Sequence, residues 1–225
     1  MRKLVERCVR LRLEAQGVAG VDVNASIDSV ALAVSGERPD LGALASADGR
    51  VTILFSDIEN STLMTERLGD DRWIEILREH NSVFRDRLDD HGGYEVKSQG
   101  DGFMLAFPDP AAALRCAIEV QREFAAREAP EEELIRVRMG MHVGEVIEEG
   151  GDFFGRSVIL AARIAAQARG GELLISDELQ TSCGDHVLTD AGRELELKGL
   201  AGAHRVFAVD WTGGRESAIE GEPVL

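Results

Sequence analysis

Two aspartates stand where predicted β-strands end, and this arrangement constrains the fold more than any other feature of the chain. Asp57 closes an apolar run, Val51–Phe55, that predicts a buried strand. Asp101 lies between Gly100 and Gly102, and the residues on either side predict the two strands of a hairpin. If these strands are neighbours in one sheet, the two carboxylates converge at its edge. Hard divalent cations such as Mg²⁺ prefer oxygen ligands of this kind.

The rest of the pattern alternates between helices and strands. Two helices are predicted after Asp57, the second ending at His91, and further helices from Pro110 and over 157–168. Additional strands are predicted over 135–141, 172–175 and 205–209. This order predicts an α+β fold. We expect a mixed, largely antiparallel sheet with helices packed on one face, close to the ferredoxin-like arrangement.

The hydrophobic pattern also divides the chain. Residues 1–49 show helical spacing followed by a linker, and they are too few to form a robust core of their own. We therefore expect a short helical segment at 1–49, a main domain at 50–211 and a disordered tail at 212–225.

The composition narrows the range of partners. The chain of 225 residues has 41 acidic and 25 basic side chains, a net charge of −16, which disfavours binding to nucleic acid. Three scattered cysteines fit a reducing compartment, and no apolar run approaches the roughly 20 residues of a membrane-spanning helix. The start of the chain lacks the apolar core of a signal peptide. These features predict a cytoplasmic protein without a membrane span.

Three motifs follow one another in order along the chain. The first two are Phe55-x-Asp57-Ile58 with Ser61-Thr62 behind it, and Lys97-x-x-Gly100-Asp101-Gly102. The third is Phe154-Gly155-x-x-Val158 followed by the run Ala161-Ala162-Arg163. Together they resemble the motifs of the class III nucleotidyl cyclases, from about residue 50 to about residue 211. The resemblance implies the fold of a cyclase catalytic domain.

The resemblance implies a metal site. In the family, two divalent cations, Mg²⁺ or Mn²⁺, are held by the residues that match Asp57, Asp101 and the Ile58 carbonyl, and they bridge to the triphosphate. Taken alone, each aspartate would be more typical of a turn or a helix cap. The N–H groups of Asn60, Ser61 and Thr62, at the start of the next helix, are suited to bind phosphate.

The resemblance also implies how the base and the α-phosphate are held. Lys97 and Asp152 match the pair that contacts the purine, and a lysine donor with an aspartate acceptor favours ATP over GTP. Arg163 matches the arginine that stabilises charge on the α-phosphate. Lys198 matches a lysine that closes over the phosphates, although an ordinary turn lysine is an equally good interpretation.

One position departs from the family pattern. Ile159 stands where the family has an asparagine that orients the ribose, and isoleucine offers no hydrogen bond. Arg156 and Ser157 are the two polar candidates to compensate, and the sequence does not choose between them.

The resemblance implies an adenylyl cyclase that forms 3′,5′-cyclic AMP and pyrophosphate from ATP. In the family one chain supplies the metal acids and the other the purine and arginine side. This chain carries both halves, so a head-to-tail homodimer is expected. Three alternatives stay open: a cyclase-like regulatory module with little turnover, a guanylyl cyclase, and a cyclase that needs a different subunit.

Overall fold

The computed structural model describes residues 49–149, 152–184 and 187–213. The predictions made for residues 1–48 and 214–225 therefore lie outside the described residues. Five α-helices are described: α1 (Ser61–Leu68), α2 (Asp70–Asp90), α3 (Pro110–Ala125), α4 (Arg156–Ala165) and α5 (Asp177–Cys183). The described strands are β1 (Arg50–Ile58), β2 (Tyr94–Gln99), β3 (Gly102–Phe107), β4 (Val137–Glu145), β5 (Ile147–Glu149), β6 (Asp152–Phe154), β7 (Leu173–Ser176), β8 (Arg193–Glu196) and β9 (Ala203–Ala208).

Seven of these strands form one mixed sheet in the order β2-β3-β1-β4-β7-β9-β8. All neighbouring pairs are antiparallel except β4 and β7, which are parallel. Strands β5 and β6 form a separate two-stranded hairpin. The prediction of a mixed, largely antiparallel sheet with packed helices is confirmed.

The helices cover both faces of the sheet, whereas the sequence predicted one. Alternate residues of β1 point to opposite faces, because side chains in a strand alternate. Leu54 belongs to the larger core cluster, which includes residues of α2, α3 and α5, and Ile53 packs with Ala161 of α4. Helix α4 lies so close to β4 that a Cβ on Gly140 would stand 2.1 Å from the backbone nitrogen of Ala165. A glycine is required there, since any side chain would push α4 off the sheet.

The ends of the helices and the β2–β3 turn follow local rules. Asp109 caps α3 by accepting hydrogen bonds from the N–H groups of Ala111 (3.0 Å) and Ala112 (3.1 Å), with Pro110 as the first helical residue. Helix α2 begins at Asp70, with Gly69 as its N-cap. The β2–β3 turn has Gly100 at φ +63°, a conformation that glycine adopts without strain. That turn presents Asp101 beside the end of β1.

Candidate functional site

The structure brings Asp57 and Asp101 together at one edge of the sheet. Antiparallel pairing of β1 with β3 places Ser56 opposite Phe103, so the end of β1 lies beside the β2–β3 turn. The backbone N–H of Ile58 donates to Oδ2 of Asp101 at 3.3 Å. Burial raises the pKa of Asp57, and the neighbouring Asp101 raises it further by its charge and by a hydrogen bond. The site is therefore an acidic pair with an unfavourable excess of negative charge.

Arg138 is the site residue that the sequence reasoning missed. In the β1–β4 register it is the direct cross-strand partner of Asp57. Its Nε donates to Oδ2 of Asp57 at 3.1 Å, and a second guanidinium nitrogen bonds the same oxygen. The hydrogen bond from Arg138 lowers the pKa of Asp57 and so opposes the effect of burial. Only the strand register could have revealed this contact, because 81 residues separate the two side chains along the chain.

The start of α1 lies directly beyond the acidic pair. Asn60 adopts a left-handed conformation, φ 59° and ψ 27°, and its side chain makes no capping hydrogen bond in the described part of the chain. The N–H groups of Ser61 and Thr62 therefore lie at an uncapped helix start, where N–H groups and the helix dipole favour an anion. The preceding Glu59 has a structural role, since its Oε1 accepts from the N–H of Gly170 at 2.8 Å.

Lys97 and Asp152 form an ion pair, as the resemblance implied. Nζ of Lys97 donates to Oδ2 of Asp152 at 2.6 Å, with Lys97 half exposed and Asp152 largely buried. Asp152 opens strand β6, although the sequence placed it in a glycine-rich loop. The buried Phe153 fixes β6 to the sheet, and its N–H donates to Oδ1 of Asp152 at 2.8 Å. The aspartate is thus held in a defined orientation.

Arg163 and Lys198 also meet, but through the backbone of Lys198. Nε of Arg163 donates to the carbonyl oxygen of Lys198 at 3.0 Å. One turn earlier on α4, the side chain of Ile159 is 47% exposed. Ser157 cannot substitute for the missing asparagine, because it is buried and its Oγ donates to the carbonyl of Glu145 at 2.6 Å. Arg156 is exposed and remains as the polar neighbour.

A metal at this site would have two side-chain ligands. Among the described residues, no group of three or more histidine, cysteine, aspartate or glutamate side chains is suited to hold a metal ion. Asp57, Asp101 and the Ile58 carbonyl would therefore supply only part of a coordination shell. Mg²⁺ commonly takes one or two carboxylates from a protein and completes its shell with water and substrate phosphates. The donor set fits a cation that binds together with a phosphorylated substrate.

Within residues 49–149, 152–184 and 187–213, no helix combines the length and the apolar character of a membrane span.

Comparisons with known proteins agree with this geometry. The adenylate cyclase of Lachancea kluyveri is 34% identical over 160 residues, which cover 60% of this chain and 9% of that protein. A solved adenylate cyclase structure from Trypanosoma brucei has a TM-score of 0.65 and 26% identity, and the match covers 74% of this chain and 92% of that one.

A solved adenylate/guanylate cyclase/hydrolase from Silicibacter pomeroyi has a TM-score of 0.61 and 30% identity, with coverage of 71% and 95%. The chain spans less than a tenth of the length of the fungal adenylate cyclases that it matches. The family model "Adenylate and Guanylate cyclase catalytic domain" matches residues 44–210. The chain belongs to this cyclase family.

Proposed function

We propose that the chain is an adenylyl cyclase, which converts ATP to 3′,5′-cyclic AMP and pyrophosphate and acts in intracellular signalling in the cytoplasm. The observation that carries the proposal is the convergence of Asp57 and Asp101 at one sheet edge, within a domain of the cyclase family. Curated relatives named adenylate cyclase support the choice of reaction.

Asp57, Asp101 and the carbonyl of Ile58 would hold two divalent cations, Mg²⁺ or Mn²⁺. The electrostatics fit such a role, because burial and Asp101 both raise the pKa of Asp57, and a cation relieves that strain. When bound, the cations lower the pKa of the ribose 3′-hydroxyl and neutralise charge on the phosphates. Arg138 neutralises part of the charge of the acidic pair.

The other charged groups of the chain act on the triphosphate. The N–H groups of Asn60, Ser61 and Thr62 bind phosphate oxygens at the start of α1. Arg163 stabilises the charge that develops on the α-phosphate as the 3′-oxygen attacks phosphorus and pyrophosphate leaves. Lys198 positions Arg163 through its carbonyl oxygen. Its ammonium group would close over the phosphates, as the resemblance implies.

The pair Lys97 and Asp152 supports ATP as the substrate. A lysine donates to N1 of adenine and an aspartate accepts from the 6-amino group, whereas guanine presents an N–H and a carbonyl at these places. The 2.6 Å ion pair and the hydrogen bond from the N–H of Phe153 preorganise both groups. Guanylyl cyclases are also among the solved structures with this fold, so GTP is the alternative substrate.

We propose a head-to-tail homodimer with two equivalent sites as the active form. One chain would supply Asp57 and Asp101, and its partner would supply Lys97, Asp152 and Arg163 to the same site. Each chain carries both sets, so two copies complete two sites.

A second candidate function is a nucleotide-binding regulatory module with little turnover. Ile159 supports it, since its exposed side chain cannot hydrogen-bond and Ser157 is already bonded to Glu145. Loss of one oriented donor costs roughly 10²-fold in turnover by analogy with other enzymes.

The test measures cyclic nucleotide formed by the purified chain from ATP or GTP, with Mn²⁺ or Mg²⁺. Asp57→Ala and Asp101→Ala should abolish the product, and Asp86→Ala, an exposed site on α2, should not. Equal product from Asp57→Ala and the unaltered chain would refute the proposal. Bound ATP without product would favour the regulatory module, and faster turnover of GTP would favour a guanylyl cyclase.

A further inference from the structure

His80 is a buried histidine that the proposed reaction does not use. It lies in the middle of α2 with 0% of its surface exposed. Its ring is surrounded by Phe84, Phe103 and Phe124, with centroid distances of 4.8, 5.7 and 5.5 Å. An apolar side chain would satisfy such an environment at less cost, because burying a polar ring without full hydrogen bonding is unfavourable. Packing alone therefore does not explain why a histidine occupies this position.

The hydrogen bonding of His80 leaves one nitrogen as an open acceptor. Nδ1 lies 3.0 Å from Oδ1 of Asn81, and an amide oxygen only accepts, so Nδ1 carries the proton. Nε2 is then an unprotonated acceptor, and it is buried without a partner among the described residues. Burial lowers the pKa of His80 to about 4, so the ring stays neutral near pH 7.

Ser56 also has a buried polar atom without a hydrogen-bond partner in the described part of the chain, in this case a hydroxyl group that can donate. Its Oγ is also buried, and no described residue accepts or donates a hydrogen bond there. Ser56 faces Phe103 across the β1–β3 pair, and the ring of Phe103 in turn contacts His80. A serine hydroxyl and a histidine acceptor therefore flank the same aromatic ring. Neither atom has a hydrogen-bond partner among the described residues, and one small molecule that contacts both atoms would satisfy both.

We propose that a buried water molecule bridges Nε2 of His80 and Oγ of Ser56, and that this bridge positions the carboxylate of Asp57. Buried waters commonly satisfy two to four otherwise unpaired polar groups. The water donates one hydrogen to Nε2 of His80 and exchanges a second hydrogen bond with the serine hydroxyl. His80 and Ser56 are then positioning residues, which act on the site through β1.

The link to Asp57 is short. Ser56 is the residue directly before Asp57 on β1. Holding the Ser56 side chain in place therefore restrains the backbone that orients the carboxylate of Asp57. The charge of Asp57 also acts on His80, where it partly opposes the effect of burial on the pKa. Outer hydrogen-bond partners of this kind commonly change metal affinity 10- to 100-fold when removed. The effect on metal binding rests on the proposed function, whereas the bridge itself does not.

The bridge is tested by a double-mutant cycle on the full chain, with denaturant unfolding as the readout. His80→Leu or Ser56→Ala alone strands one polar partner and should raise the unfolding equilibrium constant about tenfold. The double variant removes both partners, so its free energy of unfolding should be at least as large as that of the less stable single variant. Thr52→Val is the matched control, since that buried hydroxyl lies four residues earlier on β1, roughly 13 Å away. Additive effects of His80→Leu and Ser56→Ala would overturn the bridge.

The positioning role is tested by direct titration of Mn²⁺, followed by electron paramagnetic resonance of the free ion. His80→Leu should weaken Mn²⁺ binding about tenfold. His80→Gln keeps an acceptor near the place of Nε2 and should restore the affinity, and the shorter His80→Asn should not. Unchanged affinity in His80→Leu would overturn this inference alone. Failure of the unaltered chain to bind Mn²⁺ would overturn the proposed metal site and, with it, the positioning role.

Discussion

Replacing Arg138 by glutamine should separate metal affinity from turnover. The guanidinium makes two hydrogen bonds to Oδ2 of Asp57, an oxygen that a cation would need. The two side chains are 35% and 37% exposed, so solvent screens the pair and limits its contribution to about 1 kcal/mol. A cation that no longer competes with Arg138 should gain this amount, which corresponds to about fivefold tighter binding of Mn²⁺.

Although Arg138→Gln should bind Mn²⁺ more tightly, its thermal stability and its turnover should both fall. Without Mn²⁺, loss of about 1 kcal/mol should lower the melting temperature by roughly 2–4 °C for a domain of this size. Turnover should fall about tenfold or more, because a guanidinium released by the metal is suited to bind the triphosphate. Calorimetric melting with and without Mn²⁺, a Mn²⁺ titration and the cyclase assay measure the three quantities.

The matched control is Arg136→Gln, which removes the same charge two residues earlier. It should leave Mn²⁺ affinity nearly unchanged, because Arg136 is not the cross-strand partner of Asp57. Weaker Mn²⁺ binding in Arg138→Gln would refute the reasoning, since it would mean that the guanidinium supports the metal site instead of competing for it.

Three further predictions concern other parts of the domain. Asp152→Ala leaves Lys97 without its partner and should lower the ratio of kcat/KM for ATP over GTP at least about tenfold, measured with both nucleotides in competition. The free energy of unfolding should fall on the order of 2 kcal/mol as pH drops from about 6.5 to about 4, because burial lowers the pKa of His80 to about 4 and the unfolded chain takes up the proton first. Urea melts should show a shallower fall in His80→Leu, and an equal fall would contradict the assignment. Burial raises the pKa of the Cys116 thiol to about 12 and of the Cys183 thiol to about 11, so neither should react with a thiol reagent before unfolding.

The parts of the site that follow from the sequence are those set by local pattern. The apolar run before Asp57 and the glycine turn around Asp101 each specify a strand end within a few residues. Antiparallel pairing then leaves little freedom in where the two carboxylates meet. The contact between Lys97 and Asp152 came from the resemblance to the cyclases, and no local pattern would have revealed it.

The parts that the sequence did not predict depend on register, on edge strands and on close packing. Arg138 reaches Asp57 only through the β1–β4 register, which the hydrophobic pattern does not specify to the residue. Strand β8, with the sequence Arg-Glu-Leu-Glu, is an edge strand with little apolar signal, and α5 has only seven residues. The placement of α4 on the opposite face depends on its close approach to Gly140. This contact joins residues far apart in the sequence, so no local pattern predicts it.

The most direct test of the proposed shared site mixes two inactive chains. Asp57→Ala lacks a metal acid and Arg163→Ala lacks the arginine, so neither homodimer should form cyclic AMP. In a mixed dimer, one site receives both intact sets, and random pairing should restore about a quarter of the activity of the unaltered chain. Recovery near that level would support a metal-dependent cyclase with sites made by two chains. If the mixture stays as inactive as its components while the unaltered chain is active, the two sets do not meet across a dimer interface, and the account is wrong.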